Sequence, residues 1–162
     1  KQIEDERGFF SRVWCEKEFA EYGITSHLSQ ANISFSHRAG TIRGIHYQSQ
    51  PHSEMKAIRC VRGAIYDVVL DLRQDSQTYC QWHSEELTAD NYRMMVVPEG
   101  CAHGFQTLAD NSEVLYLVSS SYNSESDKGV RWNDSAFGIC WPQPVSLISK
   151  RDKEHKDYIR KK

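Results

Sequence analysis

Residues 97–105 read Val97-Pro-Glu-Gly-Cys-Ala-His-Gly-Phe105, and this short run is the best guide to the architecture of the chain. A strand that enters a Pro-x-Gly turn, with a histidine between small residues just beyond it, leaves the backbone little freedom. Gly100 and Gly104 indicate tight backbone geometry around His103. The run therefore predicts a strand-turn-strand corner. In such a corner, His103 is either a buried structural residue or part of a site.

On either side of this corner the chain reads mostly as short strands separated by turn signals. Alternation and β-branched residues predict the strands, which we place at 41–48, 55–61, 63–73, 93–97 and 113–122. Residues 15–22 are rich in helix formers and stop at Gly23, and the charged segment 149–162 is expected to form a short surface helix. The pattern predicts an all-β sandwich or barrel with one or two short peripheral helices.

Length and charge restrict the function further. The chain has 162 residues, with 20 Lys and Arg against 22 Asp and Glu, so its net charge is −2. We expect one domain over residues 1–162, with no repeat or linker. A near-neutral chain is not expected to bind nucleic acid, and no apolar run reaches the roughly 20 residues that span a bilayer. Five widely spaced cysteines without a CxxC pair predict reduced thiols and a cytoplasmic protein.

One cluster of reactive side chains lies in residues 41–48, Thr-Ile-Arg-Gly-Ile-His-Tyr-Gln, with Lys56 shortly after it. In a regular strand, Arg43 and Ile45 would face one side, and Gly44 and His46 the other. A kink at Gly44 would change these faces. Arg43 suits a phosphate or carboxylate, and His46 suits general base chemistry near neutral pH. An ordinary hydrogen-bonded strand histidine explains the same residues, so this cluster alone leaves the function open.

Two motifs resemble those of the cupin superfamily. Pro98-x-Gly100-x-x-His103 is similar to the second cupin motif, and His46-Tyr-Gln48 with the later Glu54 and Gly63 is similar to the first. The first motif normally carries a second histidine where this chain has Gln48. The usual cupin metal cage would lack a ligand, so no metal site is expected.

The resemblance narrows to the dTDP-4-dehydrorhamnose 3,5-epimerase family. Blocks similar to that family run in its order through most of the chain, at residues 5–10, 42–48, 56–60, 98–105, 113–116, 131–134 and 138–142. The resemblance implies a small cupin-type jelly roll with an N-terminal arm and a C-terminal tail. It also implies a homodimer that uses no metal or organic cofactor.

The same resemblance implies a substrate and a set of roles. Family members act on a nucleoside diphosphate 4-keto-6-deoxyhexose, whose ketone acidifies the hydrogens on C3 and C5. By resemblance His46 is the base, Asp152 its carboxylate partner, and Tyr116 the acid on the opposite face of the sugar. Lys56 would face the developing enolate oxygen. His103 would lie in the same pocket and help to position the substrate or the base.

Substrate-binding residues also follow from the resemblance. They are expected to hold the nucleotide, its diphosphate and the sugar, and they are Arg7, Phe10, Gln30, Asn32, Arg43 and Tyr122. Arginine suits a diphosphate because its guanidinium is planar and permanently charged. Arg7 and Phe10 belong to the N-terminal arm, which in the family often crosses to the partner subunit.

Several alternatives remain open from the sequence. Some relatives invert only C3. A metal-dependent cupin oxygenase would use His46, Glu54 and His103. A cupin ketoisomerase, or a sugar-binding jelly roll without activity, would also show this pattern of strands and motifs. The ketoisomerase, however, normally carries a second histidine at the position of Gln48.

Overall fold

The computed structural model describes residues 2–160, so the outer ends of the predicted 1–162 domain and of the 149–162 segment lie outside the described residues. Strands dominate this part of the chain, and the two helices are short. In chain order, the elements are β1 (Gln2–Asp5), β2 (Gly8–Ser11), α1 (Glu16–Ala20), β3 (Gln30–Ser36), β4 (Thr41–Gln48), β5 (Lys56–Arg62), β6 (Ala64–Asp71), β7 (Trp82–Thr88), β8 (Met95–Val97), β9 (Cys101–Thr107), β10 (Ser112–Val118), β11 (Asp127–Gly129), β12 (Leu147–Ile148) and α2 (Lys150–Lys153). The predicted all-β class with two short helices is confirmed.

Two sheets form the body of the molecule. The smaller has the strand order β3-β10-β5-β8, and the larger has the order β11-β4-β9-β6-β7, with β12 added in parallel beside β4. Apolar side chains from both sheets meet in one core, including Ile58 and Val114 from the smaller sheet and Ile65 and Phe105 from the larger. These side chains are essentially inaccessible to solvent, so the two sheets are held face to face by burial of apolar surface.

The corner predicted around His103 is present, but its second arm is a full central strand. All seven residues of β9 are buried, and β9 lies between β4 and β6. The small residues around His103, which indicated tight backbone geometry in the sequence, allow close packing between two neighbouring strands. Strands β3 and β7 were absent from the sequence prediction. Residues of β3 alternate little and remain largely exposed at the edge of the smaller sheet.

Strand β4 has the kink that Gly44 was expected to permit, and its side chains do not alternate regularly. The pairing of β4 with β9 shifts register between Arg43 and His46. Gly44 has a φ of +115°, and a Cβ at this residue would lie 2.7 Å from the Cα of Gly104. Because only glycine tolerates that φ and that contact, the strand is irregular here. Arg43 and His46 consequently line one cavity, while Ile45 between them is buried in the core.

The N-terminal arm is a separate two-stranded hairpin of β1 and β2. Ile3, Phe9 and Phe10 are largely exposed on it, which is unusual for large apolar side chains. Within residues 2–160, neither helix has the length or the apolar character needed to cross a membrane.

Candidate active site

A cavity of about 620 Å³ opens where β3, β5 and β10 of the smaller sheet approach β4, β12 and the start of α2. Both polar and apolar side chains line it. Eight of the residues predicted from the sequence lie on its wall, namely Gln30, Asn32, Arg43, His46, Lys56, Tyr116, Tyr122 and Asp152.

A histidine–carboxylate pair stands at the side of the cavity formed by the larger sheet. His46 Nε2 lies 2.7 Å from Asp152 Oδ1, and the backbone N–H of Gly44 donates to Asp152 Oδ2 at 3.2 Å. Asp152 is on the first turn of α2, where the hydroxyl of Ser149 accepts a hydrogen bond from its backbone N–H. These contacts fix a buried carboxylate against an imidazole that remains partly open to the cavity.

The electrostatics of this pair keep the carboxylate ionised. Burial acts to raise the pKa of Asp152, but the hydrogen bond and charge of His46 and the N–H of Gly44 outweigh burial and hold that pKa below its usual value. A carboxylate that accepts from Nε2 leaves the lone pair of the neutral imidazole on Nδ1. His46 is therefore oriented as a proton acceptor.

Tyr116 lies on β10, in the opposite sheet. Burial raises the pKa of its phenol far above the usual value, with the charge of Asp67 acting in the same direction. Its hydroxyl lies 3.4 Å from Ser34 Oγ on the neighbouring strand β3. Tyr116 is thus held as a neutral proton donor across the cavity from His46.

Lys56 supplies a cation on the same wall. Its Nζ lies 2.9 Å from Glu54 Oε1, and both side chains are largely shielded from solvent. Glu54 Oε2 accepts from the amide of Gln48 at 3.0 Å, and Gln48 also accepts from the backbone N–H of Asn123. The ammonium group of Lys56 is consequently held in one place by a network that begins in β4.

His103 does not line the cavity, contrary to the sequence expectation. It is buried in β9 directly opposite His46 on β4, and its Nε2 lies 2.7 Å from Asp67 Oδ1. Its ring centroid is 6.1 Å from that of Tyr116, so His103 packs behind the wall that carries the phenol. A strand residue that points into the core cannot also face the cavity, which explains the difference.

The binding residues predicted on β3 and β4 surround the mouth of the cavity. Arg43 donates to Ser36 Oγ at 2.9 Å and to the backbone carbonyl of Phe35 at 2.7 Å. The side-chain oxygen of Gln30 accepts from the backbone N–H of Tyr122, whose hydroxyl donates to Asp127 at 2.9 Å. These contacts hold a guanidinium group and a phenol at the entrance.

Arg7 and Phe10 are not part of this cavity. Arg7 pairs with Asp5 at 2.6 Å on the hairpin arm, and its side chain is 85% exposed. Phe10 is 63% exposed on the same arm. Within one chain, these two predicted binding residues are separate from the other eight.

Sequence reasoning missed several residues at the site. Glu54 was considered only as a metal ligand, yet it pairs with Lys56. Arg151 lines the cavity and pairs with Asp127 at 2.7 Å, and its position next to Asp152 was an available signal. His155 stands with its ring centroid 5.9 Å from that of His46, and nothing in the sequence indicated it. Desolvation and the neighbouring His46 lower the pKa of His155.

The residues proposed for a metal-dependent cupin are engaged elsewhere. Glu54 bonds to Lys56 and Gln48, and His103 bonds to Asp67. Across residues 2–160, His46, Glu54 and His103 do not form a group of close ligand atoms, whereas His46, Asp152 and His155 do.

The arrangement suits proton transfer at a carbon next to a carbonyl group. A base with a free lone pair, a neutral phenol and an ammonium group border one cavity, and the base and the phenol come from opposite sheets. A proton can leave one face of a bound molecule and return to the other, while the ammonium stabilises charge on the carbonyl oxygen.

Comparison with known proteins gives a consistent result. The family model described as dTDP-4-dehydrorhamnose 3,5-epimerase matches residues 1–159. A dTDP-4-dehydrorhamnose 3,5-epimerase of Sinorhizobium fredii is 41% identical over 153 residues, which are 94% of this chain and 78% of that protein. A dTDP-4-dehydrorhamnose 3-epimerase of Streptomyces niveus is 39% identical over 155 residues, 95% of this chain and 74% of that protein.

A solved structure agrees with the sequence comparison. The dTDP-4-dehydrorhamnose 3,5-epimerase of Bacillus anthracis, solved with TDP and PPi bound, superposes with a TM-score of 0.93 at 42% identity. The match covers 98% of this chain and 90% of that one. The predicted cupin-type jelly roll is thereby confirmed.

Proposed function

This chain belongs to the dTDP-4-dehydrorhamnose 3,5-epimerase family, and we propose that it inverts both C3 and C5 of a dTDP-4-keto-6-deoxyhexose. The chain is an isomerase of sugar nucleotides. The observation that carries the proposal is the His46–Asp152 pair, at 2.7 Å, in the same cavity as Tyr116 and Lys56.

The first step is removal of a proton next to the ketone. The 4-keto group acidifies the hydrogens on C3 and C5, because the resulting charge is delocalised onto the ketone oxygen. His46 Nδ1 takes one of these protons, and the anionic Asp152 stabilises the imidazolium that forms. Lys56 stabilises the enolate oxygen, an interaction that typically lowers such a barrier by about 3 kcal/mol.

The second step returns a proton to the opposite face of the carbon. Tyr116 is the donor, since burial keeps its phenol protonated. Before the next inversion, His46 releases the proton that it took to water, and Tyr116 regains a proton from water. Repetition at the second carbon completes the double epimerisation.

Binding of the nucleotide completes the proposal. Arg43 binds the diphosphate, while Gln30, Asn32 and Tyr122 contact the nucleotide or sugar at the mouth of the cavity. His103 acts only through its packing behind Tyr116. We also propose that the chain is a single cytoplasmic domain that works without a cofactor and forms a homodimer.

In the proposed dimer, the hairpin arm crosses to the partner subunit. Ile3, Phe9 and Phe10 are exposed on the hairpin, and β3, which carries the exposed Ile33, is an edge strand of its sheet among residues 2–160. An arm that crosses to the partner would cover apolar surface and deliver the partner's Arg7 to the cavity.

Mixing two impaired variants tests whether the arm crosses to the partner subunit. Arg7→Ala and His46→Ala proteins should each be impaired, whereas a mixture allowed to exchange subunits should regain about a quarter of wild-type activity, because half of the dimers then hold one intact site. A mixture no more active than its components contradicts the crossed arm. Sedimentation equilibrium measures the dimer independently.

The main experiment is incubation with dTDP-4-keto-6-deoxyglucose in deuterated water, followed by NMR. We expect deuterium at C3 and C5 together with inverted products, and we expect the exchange to survive EDTA. His46→Ala should reduce exchange at least a hundredfold. His83→Ala is the control, since His83 is exposed on β7 outside the cavity. Undiminished exchange in His46→Ala would exclude the role assigned to that histidine.

C3-only inversion is the second candidate. The Streptomyces niveus relative, named a 3-epimerase, is nearly as similar as the 3,5-epimerases. The same NMR experiment separates the two, because a C3-only enzyme leaves C5 without deuterium.

A further inference from the structure

His155 stands beside the proposed base but takes no part in the mechanism above. It follows α2 in a segment without regular structure, and its ring centroid lies 5.9 Å from that of His46. Its Nε2 is buried and has no hydrogen-bond partner in the part of the chain that the structure describes. A buried ring nitrogen without a partner calls for an explanation, and an ion is one of the ordinary ones.

The position of His155 depends on a glycine. Gly129 on β11 is paired directly with His46 on β4, so the two residues share one face of the sheet. A Cβ at residue 129 would overlap with His155 Nε2. The imidazole therefore occupies the space above Gly129 that a side chain would otherwise fill, and this places it next to the His46–Asp152 pair.

The three side chains together form a recognised ligand set. His46, Asp152 and His155 each offer one ligand atom, and these atoms lie within 4.8 Å of one another. Two imidazoles and one carboxylate, with a position left open, are typical of zinc bound at a solvent-accessible site. Zinc bond lengths place neighbouring ligand atoms roughly 3.4 Å apart, so the most distant ligand atoms would approach by up to about 1.4 Å. If Nε2 of His46 is the ligand atom, its 2.7 Å contact with Asp152 would open slightly.

The local charge also suits a cation. Arg151 is a positive group on the wall of the same cavity, and it pairs with Asp127 at 2.7 Å. That ion pair is neutral overall, so the carboxylate of Asp152 is left as the net charge beside the two imidazoles.

We propose that His46, Asp152 and His155 bind one Zn²⁺ per chain, and that the bound ion inhibits the enzyme reversibly. The inhibition follows from the chemistry of imidazole. Zinc on Nδ1 occupies the lone pair that accepts the substrate proton. Zinc on Nε2 displaces the proton shared with Asp152, and the neutral ring then carries its proton on Nδ1. Either way, His46 is no longer a base.

Calorimetric titration of the full chain with Zn²⁺ tests the site itself. The wild-type protein should bind one ion per chain, and His155→Ala should weaken the affinity at least about tenfold. His155→Gln, which keeps a side chain of similar size above Gly129, should weaken it equally and shows that folding is not the cause. His83→Ala is the matched control, because His83 also lies beside a carboxylate, 3.4 Å from Glu85, but outside the cavity.

The inhibition rests on the proposed function, whereas the binding does not. In the deuterium exchange assay, Zn²⁺ should stop the wild-type reaction over the concentration range found by calorimetry, and EDTA should restore it. His155→Ala should need at least about tenfold more zinc for the same inhibition. Wild-type affinity in both His155 variants, an equal loss in His83→Ala, or full exchange at saturating zinc would each overturn the proposal. If the wild-type chain showed no exchange at all, the proposed function would fail, and calorimetry would still decide the zinc site.

Discussion

The protonation states of single residues in the candidate site are set by their surroundings. The carboxylate of Asp152 stays ionised because His46 and the N–H of Gly44 stabilise its charge. The phenol of Tyr116 stays protonated because it is buried. The proposed base is thus held by an anion, and the proposed acid is held neutral by burial, on opposite sides of one cavity.

Tyr116→Phe separates proton removal from inversion. His46 and Asp152 remain intact, so the carbon still loses its proton, and His46 can return a deuteron to the same face. We expect deuterium uptake to continue while inversion falls about 10²- to 10⁴-fold. NMR of the recovered sugar nucleotide measures both quantities. Equal loss of uptake and inversion would show that the phenol is not specifically the donor to the inverted face.

Glu54→Gln tests the support of Lys56. The substitution keeps the size of the side chain but removes the charge that holds the ammonium group at 2.9 Å. We expect kcat to fall roughly tenfold with little change in KM, because a mobile lysine stabilises the enolate less well than a fixed one. Glu99→Gln is the control, since Glu99 is exposed and bonds only to Ser53 in the described structure. A rise in KM at constant kcat would instead assign Glu54 to substrate binding.

Individual strands and helices determine where these residues lie relative to the cavity. The register shift in β4 brings Arg43 and His46 to the same cavity, although strict alternation would place them on opposite faces. The short helix α2, capped by Ser149, brings Asp152 against His46. An irregular strand and a single helical turn therefore contribute as much to the site as the regular parts of the sheets.

Gly44→Ala should disturb this irregularity. Its Cβ would lie 2.7 Å from the Cα of Gly104 and 2.8 Å from the carbonyl oxygen of His103, which are backbone atoms that cannot move independently. We expect a loss of at least about 2 kcal/mol in the free energy of unfolding, measured with urea. Gly8→Ala is the control, because Gly8 has a similar φ of +125° but no atom within 4 Å of the added Cβ. Equal losses in the two variants would assign the effect to φ rather than to the contact.

The whole molecule supplies the core that supports the cavity. Cysteines take part as packing residues, and Cys60 and Cys101 lie in the core between the two sheets. Burial and the nearby carboxylate of Asp71 raise the pKa of Cys101 to about 11 from its usual 9.0. The folded protein therefore favours the neutral thiol.

Stability in alkaline solution should depend on this thiol. Between about pH 9 and 11, the unfolded chain has lost the Cys101 proton and the folded chain retains it, so the free energy of unfolding falls as the pH rises. The contribution is fully present below pH 9 and is on the order of 2 kcal/mol. Urea unfolding of Cys101→Ala should show a shallower decline over that range, whereas Cys140→Ala, at an exposed thiol, should match the wild type. Identical slopes in all three proteins would contradict this.

Much of the fold could be predicted from local pattern. The strand at Thr41–Gln48 matches its predicted bounds, and β5, β6 and β10 lie close to theirs, since buried strands rich in β-branched residues have a clear local signal. The helix predicted at residues 15–22 is shorter, Glu16–Ala20. Strand β9 was predicted only as the second arm of a corner, without bounds, because its small residues are explained only by the neighbouring strands that they contact.

Residue types and their order along the chain were enough to identify the family and to nominate His46, Lys56, Tyr116 and Asp152, because reactive side chains within recognisable motifs are visible locally. Only the tertiary structure decided that Arg43 and His46 share a cavity, that His103 is buried behind Tyr116, and that Glu54 holds Lys56. His46 and Asp152 are 106 residues apart in sequence and 2.7 Å apart in space. Contacts of that kind depend on how two sheets close on each other, which no local pattern encodes.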